Sequence, residues 1–68
     1  MEDAVIKIGG MSCQGCVRSV TSALQAQPGV EQVAVSLAEG EAHVRFDAGK
    51  VALEQLRGAV EAAGFDAS

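Results

Sequence analysis

The sequence has no tryptophan, no tyrosine and two phenylalanines, Phe46 and Phe65. So few aromatics leave little on which to stack nucleobases, and a net charge of −4 repels a phosphate backbone. Nucleic-acid binding is excluded on both counts. No run approaches the roughly 18 uninterrupted apolar residues of a membrane span. The opening Met1-Glu2-Asp3 is acidic where a secretory leader is basic, and the apolar run behind it is short. A cytoplasmic location without direct membrane insertion is the expectation. Cysteine is scarce too: Cys13 and Cys16 stand three positions apart, and a bridge between them would close almost no loop and restrain little of the unfolded chain. Length sets the last bound. A chain of 68 residues predicts one domain spanning 1–68, with a thin core and no deep pocket.

What is present has the balance of a folded domain, 49% hydrophobic and 21% charged. Ala4, Ile6 and Ile8 alternate with Val5 and Lys7, which predicts a strand with one face inward. Gly9-Gly10 ends it. From about Gln14 to Ala26, Val17, Val20 and Leu24 fall at helical spacing, with Ser12 as the expected N-cap and Pro28-Gly29 as the stop. Two more strands follow, Val33-Val35-Leu37 and Ala42-Val44-Phe46, joined by a turn at Ala38-Glu39-Gly40. A second helix is predicted from about Ala52 to Ala63, with Leu53, Leu56, Val60 and Ala63 on one stripe. Gln55 is placed to reach back to its start, and Gly64 ends it with Phe65 folding back. Two βαβ units in tandem, with similar helix endings, predict an α+β fold: a ferredoxin-like βαββαβ sandwich, one four-stranded antiparallel sheet with two helices on one face.

The chemistry concentrates in Gly10-Met11-Ser12-Cys13-Gln14-Gly15-Cys16. Two thiols at a loop-to-helix junction can aim at one point, and a helix N-terminus favours the thiolate of Cys16. A thiolate pair selects a soft ion of low coordination number, and Cu(I) fits. A structural zinc site wants four ligands, and no carboxylate lies near the cysteines in sequence. His43 alternates with Val44 and so faces away from the core. Iron–sulfur ligation generally needs four thiolates. A thioredoxin-like redox pair would need a larger scaffold, yet a thiol–disulfide oxidoreductase remains the competing function, distinguished by reductase turnover.

Gly10-Met11-Ser12-Cys13-Gln14-Gly15-Cys16-Val17 resembles the GMxCxxC signature of the heavy-metal-associated domain, the unit of bacterial copper chaperones and of N-terminal domains of copper-transporting P-type ATPases. Pro28-Gly29-Val30, Val44-x-Phe46-Asp47 and Ala63-Gly64-Phe65 extend the likeness over nearly the whole chain. The resemblance implies that Cys13 and Cys16 bind metal, that Met11 packs beneath the loop, and that Phe65 shields the sulfurs. It implies a non-enzymatic copper chaperone that hands Cu(I) by ligand exchange to the metal-binding domain of a copper-transporting P-type ATPase. Neutral Ser12 suits Cu(I), because relatives carrying divalent ions often have a carboxylate there. Hg(II) or another soft metal, in a domain of a larger transporter or reductase, stays open on ligand chemistry, as does a metal-bridged homodimer. Met1 and Ser68 lead us to expect a free-standing protein. Ala52 departs from the family's usual Ser or Thr.

Overall fold

A computed structural model describes residues 1–67. The elements are β1 (Glu2–Gly9), α1 (Gln14–Gln25), β2 (Val30–Ser36), β3 (Glu41–Phe46), α2 (Leu53–Ala62) and β4 (Asp66–Ala67). All strand pairs are antiparallel, in the order β2-β3-β1-β4. The predicted βαββαβ fold is present. Alternation decides which face is covered: Ile6 and Ile8 of β1 and Ala42, Val44 and Phe46 of β3 are buried. Val20 and Leu24 of α1 join Leu56 and Val60 of α2 in the same apolar cluster, so both helices lie on that face. The opposite face carries Val5, Lys7, His43 and Arg45 to solvent, with Glu41 half-buried among them.

Pairing sets the strand ends, and it moves them from where alternation alone put them. β1 begins at Glu2 because Glu2 pairs with Phe46, and β2 begins at Val30 because Val30 also pairs with Phe46. A register shift between Val30 and Gln32 accommodates Glu31. Leu37 falls outside β2, in the turn.

The first helix differs at its start. Cys13, and not Ser12, is the N-cap: its backbone is extended at φ −155 and ψ 169, and its carbonyl accepts from the N–H of Cys16 at 3.1 Å and of Val17 at 3.2 Å. Among the described residues, no side chain caps this end. The helix stops at Gln25, one residue short of the predicted end. Gln27-Pro28-Gly29-Val30 then turns the chain, with Gly29 at φ +86 and the Val30 N–H donating to the Gln27 carbonyl at 3.4 Å.

The second helix is one residue shorter at each end than its periodicity predicts, with Ala52 as N-cap and Ala63 as C-cap. The Ala52 N–H donates to Gln55 Oε1 at 2.9 Å, the half of a capping box that survives without a hydroxyl at Ala52. Beyond α2, Gly64 at φ +100 lets its own N–H reach the Glu61 carbonyl at 3.0 Å and the Phe65 N–H reach the Val60 carbonyl at 3.3 Å. This pair of bonds is a Schellman motif, and it folds Phe65 back against the core as predicted.

Candidate metal centre

The loop between β1 and α1 is held from below and from one side. Met11 is half-buried and packs against the core, and Phe65 packs there as well. A Cβ added at Gly10 would lie 3.7 Å from Phe65 Cδ1, so the aromatic ring stands beside the loop. Gly10 itself sits at φ +93, a backbone conformation that favours glycine. Met11 thus packs against the core, as expected, and Phe65 stands beside the loop. Anchored in this way, the loop presents Cys13, exposed, just before Cys16, half-buried in the first turn of α1.

The start of the helix brings the sulfurs together. Cys13 Sγ and Cys16 Sγ are 3.2 Å apart, and both are free thiols. Gly15 lies inside α1 without a positive φ, so no unusual bend requires it. A Cβ there would stand 3.7 Å from Cys13 Sγ, and its lack leaves that side of the sulfur open. The Ser12 backbone N–H, followed by the Cys13 thiol, holds the Cys16 thiol below its ordinary range, against an opposing push from burial. A site with one activated sulfur and one exposed sulfur can bind a soft cation and still admit an incoming ligand.

Among the described residues, no histidine, carboxylate or further thiol joins this pair in a three-donor group. Arg18, two positions beyond Cys16, is exposed. His43 lies on the outer face of the sheet, as its alternation predicts, with Nε2 2.9 Å from Glu41 Oε1. Glu39, Glu41 and His43 bring donor atoms within 4.8 Å of one another. This group was not expected from the sequence, although Glu41 and His43 at i and i+2 of one strand already share a face.

The profile of the heavy-metal-associated domain matches residues 5–66. The chain is 44% identical over 64 residues to copper-transporting ATPase 2 of Homo sapiens, covering 94% of this chain but 4% of the ATPase. It is 39% identical over 66 residues to the copper chaperone CopZ of Bacillus subtilis, covering 97% of this chain and 96% of the chaperone. Thus the chain spans a small fraction of the ATPase and nearly the whole of the chaperone. Among solved structures, the copper binding domain from HMA7, a P-type ATPase, superimposes with a TM-score of 0.98 at 35% identity, covering 100% of this chain and 92% of that one.

Proposed function

The chain belongs to the heavy-metal-associated domain family, and on that premise we propose that it carries Cu(I) on the sulfurs of Cys13 and Cys16 and passes it on by ligand exchange. The observation that carries this reading is the pair of free sulfurs 3.2 Å apart at an exposed loop-to-helix junction. Thiolates select Cu(I) over harder ions, and two of them leave the ion room for a third. The recipient is a domain of like construction, the metal-binding domain of a copper-transporting P-type ATPase. An entering thiolate from that domain displaces one of this chain's sulfurs, then the other, so the ion is never free. No bond of a substrate is made or broken, and the chain acts as a carrier without turnover. Residues 1–68 act as one domain, in a compartment that keeps both thiols reduced, the cytoplasm.

The decisive experiment is competition for Cu(I) under anaerobic conditions against a strong chelator. Cys13→Ser and Cys16→Ser should each lose the metal, because a serine oxygen is too hard a donor for this ion. Both should keep the fold in circular dichroism, since neither residue belongs to the buried core. A single variant that retained copper against the chelator would rule out the two-sulfur site.

A further inference from the structure

We propose that Glu39, Glu41 and His43 form a second cation site, for a borderline divalent ion of the Zn(II) class, on the face of the sheet opposite the helices. Its donors are two carboxylates and an imidazole, a set that suits zinc and does not compete for Cu(I) against thiolates.

The strand geometry builds it. Glu41 and His43 are i and i+2 on β3, so both side chains leave the same outer face. Glu41 Oε1 and His43 Nε2 already stand 2.9 Å apart. Glu39 reaches them from the β2–β3 turn, which is fixed where the Glu39 N–H donates to Ser36 Oγ at 3.2 Å. The three donor atoms lie within 4.8 Å of one another. A tetrahedral ion with bonds of about 2.0–2.2 Å spaces its ligands roughly 3.3–3.5 Å apart, so small side-chain rotations close the set around it. Water can supply the fourth ligand.

Lys7 separates this group from an ordinary solvated patch. It pairs across the sheet with Glu41 and donates from Nζ to Oε2 at 2.8 Å. That bond occupies the other carboxylate oxygen and leaves Oε1 turned toward His43. Glu41 is thereby held in place, its side chain only 12% exposed, while His43 at 54% stays open to an entering ion. The ammonium thus orients a ligand from outside the coordination sphere, as second-layer partners of metal sites do. The turn that carries Glu39 also abuts the end of β1, where the Ile8 N–H donates to the Gly40 carbonyl at 2.8 Å. The oxygen–nitrogen site and the sulfur pair therefore share one end of the sheet, on opposite faces, and divide ions by donor softness.

The test uses the full chain carrying Cys13→Ser and Cys16→Ser, so that sulfur takes no zinc and the outcome does not depend on copper binding. Zn(II) is titrated into this chain near neutral pH. The expected result is one ion per chain by calorimetry, with the imidazole NMR signals of His43 moving to saturation. Removing even an outer partner of a metal site costs about 10–100-fold, so His43→Gln and Glu41→Gln should each weaken binding about tenfold or more. The imidazole signal is read without any substitution in the site, so it decides the matter even if a variant fails to fold. Static His43 signals at saturating Zn(II), or equal affinity in a folded His43→Gln chain, would overturn the site.

Discussion

Cys16 owes its character to its place at the start of a helix. A thiol at the third helical position can curl back over the N-terminus, where main-chain N–H groups lack helical partners. The Ser12 N–H stabilises the thiolate most, the Cys13 thiol next, and the Ser12 hydroxyl least of the contributing groups. A lowered pKa has a definite sign. The thiolate persists to lower pH than in the unfolded chain, so it favours the fold above the unfolded value, and that contribution is lost as pH falls through the folded one. Alkylation followed by peptide mapping should therefore give Cys16 a pH midpoint below the about 8.5 of an ordinary thiol. Ser12→Ala should keep most of this shift, because its main-chain N–H remains. A midpoint back at the ordinary value in that variant would transfer the effect to the hydroxyl. The position of the sulfurs was legible in Cys13-Gln14-Gly15-Cys16. The identity of the cap was not: serine's preference for the N-cap pointed to Ser12, whereas the chain enters the helix one residue later and uses Ser12 through its backbone.

At the scale of elements, alternation and helical spacing were legible wherever one face is buried, as in Ile6-Ile8, Ala42-Val44-Phe46 and Leu56-Val60. Ends were less so, because they depend on a partner strand remote in sequence. Among the described residues β4 is Asp66 and Ala67, paired with Gly9 and Ile8, too few to show any period. Glycine shows how much the element decides. Gly58 lies inside α2, and a Cβ there meets nothing within 4 Å. Gly29 sits at φ +86, and its Cβ would stand 2.8 Å from Lys50 Cβ. The same substitution should thus have opposite signs. Gly58→Ala should stabilise by roughly 0.5–1 kcal/mol, from the backbone entropy glycine loses in a helix. Gly29→Ala should cost at least about 1–2 kcal/mol, the left-handed penalty alone, with crowding against Lys50 added. A domain of this size is stable by only roughly 3–10 kcal/mol, so urea midpoints will resolve both. Destabilisation by Gly58→Ala would mean that α2 is packed more closely there than its open surroundings indicate.

The whole molecule is a frame that holds two sulfurs at the end of a sheet, Cys13 exposed and Cys16 half-buried. The core lies behind the loop, with Met11 and Phe65 packed against it, and the helix that carries Cys16 has no acidic residue along its length. Arg18 is its single charge, although the chain as a whole carries −4. The carboxylates lie on other elements, so a thiolate-bearing partner can approach α1 without meeting like charge from its side chains. This matters for transfer, since each step needs a second anionic sulfur beside the first. A carrier and an acceptor that both offer two thiolates bind Cu(I) with similar strength. The exchange constant with a paired-cysteine domain should therefore fall within roughly tenfold of unity, a difference of about 1.4 kcal/mol or less. Removing one acceptor cysteine should stall the exchange, because the entering ligand is lost while the fold of both proteins is kept. A thiol–disulfide oxidoreductase built on the same pair would behave differently: it would reduce a disulfide substrate without copper, and copper would block it. Both properties can be measured anaerobically on one preparation. Reductase turnover with no copper delivered to any paired-cysteine acceptor would replace the carrier assignment with the redox one.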